Sequence, residues 1–309
     1  MSELASGSAS QRRHRARAER GRGRAISPRL SLNQATIKYA DLPTALRVTR
    51  AAGIASIGLW REPVAEVGLA TAAAMVADSG LRVSSLCRGG FFTVADDDAR
   101  KAALDENRRA IEETAALAAA GAAGSAPVLV LVAGGLPEGD RDLPGARARA
   151  ADAVAALVDD AAAARVVLAI EPMHPIYAAD RGVISTLGQA LDVAERFPVQ
   201  TVGVVVDTFH VWWDPQLAEQ IGRAGRRIAS YQVCDWITPL PPDALLARGM
   251  MGDGHVDFRA VTRLVTQAGY RGDIEVEIFN QAIWDADPAD VAVRTAASFT
   301  AHVESPSET

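Results

Sequence analysis

Cysteine is scarce: the 309-residue chain has two, Cys87 and Cys234. Two isolated thiols form neither a disulfide framework nor a CxxC metal or redox pair, and they fit a reducing cytoplasm. Long apolar runs are also missing. Those present are short, such as the six residues Val128–Ala133 and the five residues Val202–Val206, whereas a membrane helix needs about 20. A soluble protein is therefore expected. No GxGxxG turn follows the first apolar run, where the chain reads Asn33-Gln34-Ala35-Thr36, and this argues against a dinucleotide-binding sheet. The basic N-terminal stretch lacks the apolar segment and cleavage site of a secretory signal.

The chain does have 49% apolar and 23% charged residues, enough for a full hydrophobic core. Its net charge of −6 is uneven, since residues 1–24 carry +5 and the remaining 285 about −11. An acidic body has no long-range attraction for nucleic acid, so no nucleic-acid partner and no membrane partner is expected. Residues 1–28 read as a disordered Arg-rich leader. From residue 29 to 305, short β-branched runs alternate eight times with Ala-rich helical stretches. The expected strands are Leu30–Gln34, Ile54–Trp60, Leu81–Leu86, Pro127–Ala133, Val166–Glu171, Thr201–Asp207, Ile228–Cys234 and Asp273–Phe279. Strands apolar nearly throughout belong to a parallel sheet covered on both faces. Eight such units fit an α/β fold, a single-domain (β/α)8 TIM barrel.

In that barrel, chemistry sits where strands run into loops. Glu171, Asp207 and Glu277 stand at the ends of strands five, six and eight, with Gln232 on strand seven. Converging carboxylates repel one another and are costly to bury, so a divalent ion held by Glu171, Asp207, Glu277 and the neutral oxygen of Gln232 is the simplest remedy. Oxygen-rich ligation points to Mn²⁺ first, with Mg²⁺ and Co²⁺ as alternatives. Three of the five histidines follow strands. His210 lies three residues after Asp207 and His174 three after Glu171; both are candidate catalytic groups. His255 lies in the loop after strand seven. Trp60, Trp212, Trp213 and Trp236 fall near the same rim, where they could cover the apolar face of a sugar or cyclitol. With Arg88 and His255 they form the expected substrate-binding set; packing loops together is the other reading of the rings.

These motifs together resemble the xylose-isomerase-like barrel superfamily of sugar phosphate isomerases and epimerases, over about residues 29–305. Glu171, Asp207 and Glu277 match three of its metal positions, His210 its Asp-x-x-His arrangement, and Gly252-Asp253-Gly254-His255-Val256-Asp257-Phe258 its glycine-rich loop. Gln232 stands where the family's strand-seven histidine is usual, although Asp235 matches the acidic residue that follows it. With no histidine between residues 15 and 173, the chain is unlike the family's trinuclear nuclease branch. The resemblance implies a metal-dependent isomerase or epimerase of a sugar, keto-sugar or cyclitol, working through an enediolate, with Glu171 and Glu277 as the proton-transfer pair. Two alternatives stay open. One is a lyase or deglycosidase acting on 3-keto glycosides, for which the Glu171-Pro172-Met173-His174-Pro175 segment and Trp212-Trp213 look compatible and a small partner subunit is expected. The other is a non-catalytic sugar-binding barrel. A homo-oligomer is compatible with each.

Overall fold

The computed structural model describes residues 26–304. Residues 1–25, which hold nearly all of the expected leader, and 305–309 lie outside the described residues. Eight parallel strands close into a barrel: β1 (Leu30–Asn33), β2 (Ser56–Trp60), β3 (Arg82–Gly90), β4 (Val128–Val132), β5 (Val167–Glu171), β6 (Val202–Asp207), β7 (Ile228–Val233) and β10 (Ile274–Val276). The two remaining strands, β8 (Asp235–Trp236) and β9 (Arg248–Gly249), form a small antiparallel ribbon above β7. This is the TIM barrel expected from the alternation.

The strands are buried along almost their whole length, because β-branched side chains pack inside the barrel on one face and against helices on the other. Several of the helices start where an aspartate caps them. Asp41 accepts from the Thr44 amide at 2.9 Å, Asp96 from Ala99 at 2.8 Å and Asp257 from Ala260 at 3.0 Å, which satisfies amides that have no partner within the helix. Among the described residues no helix is long and apolar enough to cross a membrane.

Two differences from the expected elements bear on the rim. A helix at Arg61–Val67 follows β2 directly, and Arg61 anchors it through Glu106 at 2.7 Å and Glu113 at 2.5 Å. Arg61 is thereby committed to a neighbouring helix. The barrel ladder of β10 ends at Val276, so Glu277 lies just beyond it.

Candidate active site

Side chains on a strand alternate faces, so Glu275 and Glu277 share one face, two residues apart. They form two levels of a polar barrel interior. Glu275, fully inside, accepts from Asn33 at 2.5 Å, Ser84 at 2.5 Å, Ser85 at 2.9 Å and Gln232 at 3.1 Å. Gly58 makes this possible: a Cβ there would stand 2.5 Å from the Glu275 carboxyl carbon. Gln232 pairs in register with Glu275, and its amide nitrogen is spent on that carboxylate. The Gln232 Oε1 atom is buried without a hydrogen-bond partner.

One level up, a cavity of about 680 Å³ opens at the strand ends, lined among others by Trp60, Arg88, Glu171, His210, Arg248 and Glu277. Asp207 ends β6; its Oδ1 caps the following turn through the Phe209 amide at 2.8 Å. Its Oδ2 accepts from Arg248 Nη1 at 3.0 Å, and the same nitrogen donates to Glu277 Oε2 at 2.9 Å. The guanidinium is 2% exposed and lies between the rings of Phe209 and Phe279, at 4.5 and 4.9 Å from their centroids. Glu171 ends β5 and faces the cavity without a hydrogen bond to any described side chain.

His210 is buried on the short helix after β6, and its Nδ1 accepts the backbone N–H of His174 at 3.1 Å. A neutral imidazole that accepts at Nδ1 carries its hydrogen on Nε2. That Nε2 lies 3.1 Å from Arg248 Nη2 and 3.7 Å from Asp207 Oδ2. With its hydrogen on Nε2, His210 cannot accept from Arg248, so the two nitrogens stand side by side as donors beside the cavity that both residues line.

Burial sets the protonation states. It pushes Glu171 well above the usual carboxylate range, and the charges of Glu277 and Asp207 add to the rise. Burial raises Glu277 to about 8, against the opposing pull of Arg248. Asp207 is raised by burial and pulled back by Arg248. His210 is driven well below 6.5 by burial, with the Arg248 charge adding to the effect.

Of the expected residues, the fold brings Glu171, Asp207, His210 and Glu277 together, with Trp60 and Arg88 on the same cavity. Arg88 lies over the Trp60 and Phe91 rings at 5.5 and 4.7 Å. The others stand apart. The His174 ring stacks on Trp236 at 4.8 Å and meets Trp213 edge-on at 5.5 Å, so what His174 gives the site is its backbone N–H. Trp212 lies between Trp236 and His255, at 5.8 and 6.4 Å, and Trp213 Nε1 donates to the His210 carbonyl at 2.8 Å. These three tryptophans and His255 form an aromatic stack that buttresses the loops and lies outside the cavity lining.

Arg248 was not singled out in the sequence. The signal was its place, next to the glycine-rich loop and opposite three carboxylates in need of a cation. Asp235 explains how it arrives: its carboxylate accepts the amides of Gly252 at 2.9 Å, Gly254 at 2.8 Å and Val256 at 2.9 Å, folding the loop back over β8 and placing β9 with Arg248 beside the site.

Glu171, Asp207 and His210 bring one ligand-type atom each within 4.8 Å of one another, and on spacing alone could hold a metal ion. The wider arrangement does not fit the four-residue ion site expected from the sequence. Asp207 Oδ2 and Glu277 Oε2 are held by Arg248 and the free lone pair of His210 by the His174 amide, whereas Gln232 Oε1, the expected ligand oxygen, is buried without a hydrogen-bond partner.

No match was found among curated proteins. Among solved structures, protein SMc04130 from Sinorhizobium meliloti 1021 is 43% identical, with 90% of this chain and 99% of that one covered at a TM-score of 0.85. The IOLI protein with a bound zinc atom is 20% identical over 89% of this chain and 98% of its own, TM-score 0.74. A D-psicose 3-epimerase from Clostridium cellulolyticum H10, solved with D-tagatose, is 16% identical over 90% and 100%, TM-score 0.70. Likeness at the last two identities speaks for the fold alone. The profile of one family matches residues 46–302, and the chain belongs to that family, the xylose isomerase-like TIM barrels.

Proposed function

We propose that the chain is an isomerase or epimerase that moves a proton at the carbon beside the carbonyl of a ketose, keto-sugar or keto-cyclitol. The observation that carries this reading is the pair of donor nitrogens His210 Nε2 and Arg248 Nη2, 3.1 Å apart beside the cavity, with Glu171 and Glu277 on the same cavity. Fixed N–H donors held side by side stabilise an oxygen that gains negative charge next to them, and do so most effectively in a buried site. Enolisation creates such an oxygen.

Each residue then has a defined task. Glu277, paired with Arg248, is the more readily ionised of the two glutamates and takes the proton from carbon. The electron pair moves onto the carbonyl oxygen, where His210 and Arg248 meet the charge. Glu171, held protonated by burial, returns a proton to the opposite face of the same carbon in an epimerase; in an isomerase it goes to the former carbonyl carbon, while the neighbouring hydroxyl proton passes to the former carbonyl oxygen. The two carboxyls exchange states over one turnover and are restored by proton exchange with solvent before the next. Trp60 offers an apolar face to the ring of the substrate. The likeness to a D-psicose 3-epimerase supports beginning with ketoses.

The test is solvent deuterium incorporation, followed by NMR and mass with a panel of ketoses, inososes and 3-keto glycosides. Deuterium at the carbon beside the carbonyl is expected, slowed about 100-fold or more by Glu171→Gln and by Glu277→Gln, the usual range for losing a general acid or base. Exchange that neither variant slows, or none with any panel member, would overturn the reading. Release of an aglycone from a 3-keto glycoside would replace the isomerase by a lyase.

A further inference from the structure

We infer that the Arg248 guanidinium is the resident cation of the carboxylate cluster and that a divalent ion can enter only by displacing it. The inference concerns the charge balance of the resting protein and does not depend on which sugar is turned over.

The seat is built for a flat cation. Nη1 bridges Asp207 Oδ2 and Glu277 Oε2 at 3.0 and 2.9 Å and reaches the Glu277 carbonyl at 3.2 Å. Phe209 and Phe279 cover the guanidinium. Aromatic faces attract a weakly hydrated guanidinium and offer no ligand to a metal ion or its waters. The backbone is pinned too: β9 pairs with β8, and Asn280 Nδ2 donates to the Arg248 carbonyl at 2.9 Å. Nε is buried without a partner and Nη2 lies beside the donor Nε2 of His210, so Nη1 carries the acceptors.

An ion bound by Asp207 and Glu277 together would sit within a few ångströms of this charge, where like charges repel strongly at low dielectric. Without those two oxygens, the ion retains Glu171 and whatever second oxygens the other carboxylates can turn toward it. His210 presents a hydrogen, and the unpartnered Oε1 of Gln232 is the one neutral side-chain oxygen of the expected set. Guanidinium and ion are therefore alternative occupants.

The experiment measures Mn²⁺ binding to the chelator-treated full chain by calorimetry and by the loss of the free Mn²⁺ electron-spin signal, for the wild type, Arg248→Met and Arg248→Lys. Arg248→Met is expected to bind about tenfold or more tightly than the wild type, since the ion then neutralises two buried carboxylates left without a partner. Mn²⁺ should raise the melting temperature of Arg248→Met far more than that of the wild type, with Arg248→Lys between. Equal binding by the wild type and Arg248→Met, or weaker binding by the variant, overturns the inference. Should Arg248→Met fail to fold even with Mn²⁺, the wild-type guanidinium is read directly by NMR of ¹⁵N-labelled arginine during a Mg²⁺ titration. A ring-shifted Arg248 signal that stays in place supports the inference; its early move to the position of a free arginine overturns it.

Discussion

The backbone N–H of His174 donates to Nδ1 of His210 at 3.1 Å. One hydrogen bond thereby decides what the other ring nitrogen can do, because an imidazole accepting at Nδ1 is a donor at Nε2. Ring ¹⁵N spectra should show His210 as the Nε2–H tautomer, with no imidazolium forming as the pH is lowered to 6. Burial and the Arg248 charge lower its pKa well below 6.5, so the unfolded chain takes up a proton there that the folded chain refuses. Stability from this group is complete above 6.5 and declines as pH falls below it. A protonated Nδ1 in those spectra would sink the assignment of His210 as an oxygen-binding donor.

Glu277 gives the opposite slope. Burial raises it from 4.5 to about 8, so over that window the unfolded side chain has lost a proton that the folded one keeps. Stability from this group is present below 4.5 and declines as pH rises toward 8, by up to about 1.4 kcal/mol per pH unit. Denaturant unfolding of Glu277→Gln across that window should show a visibly flatter decline than the wild type. Identical slopes would mean that Arg248 keeps Glu277 ionised throughout.

The sequence made the barrel legible because its strands are β-branched runs whose ends differ sharply in polarity from their middles. Boundaries such as Val202–Asp207 and Val167–Glu171 lie within one residue of expectation. The carboxylates were legible for the same reason, as charges at the ends of apolar strands. What a linear reading could not supply was direction. Gln232 was expected to lend its oxygen to an ion; its register with Glu275 engages the amide nitrogen at the level below and leaves Oε1 without a partner. The tryptophans clustered near the rim as expected, yet three of them pack on each other and on His174 and His255. Arg248 was hidden by its loop, since its arrival depends on three amides folding onto Asp235, a contact across about 20 residues that spacing does not encode.

Gly58 and Glu275 should behave as a coupled pair. An alanine methyl at position 58 would stand 2.5 Å from a carboxyl carbon locked by four side chains. Gly58→Ala is expected to cost about 2 kcal/mol from overpacking. Glu275→Ser opens the space, so the double variant should recover about 1 kcal/mol relative to the sum of the single ones. Additive losses by chemical denaturation would show that the clash is relieved elsewhere.

Asp235 offers the sharpest test of how Arg248 is placed. Its Oδ2 accepts the amides of Gly252 and Gly254, and its Oδ1 those of Val256 and Trp236, at 2.8–3.0 Å. Gly254 lets the loop come this close, since a Cβ there would meet the Trp236 carbonyl at 2.1 Å. In Asp235→Asn, one carboxylate oxygen becomes an NH₂ group facing backbone N–H donors. Losing charge-assisted bonds and leaving buried amides unpaired is expected to cost about 3 kcal/mol. The loss should be local before it is global. Hydrogen exchange at Gly252, Gly254 and Val256 should accelerate while the β4–β6 amides stay protected. Arg248 would loosen with the loop, so Mn²⁺ affinity should rise in the same variant. Fast loop exchange without any gain in ion binding would mean that the carboxylates and the aromatic slot hold Arg248 without help from the loop.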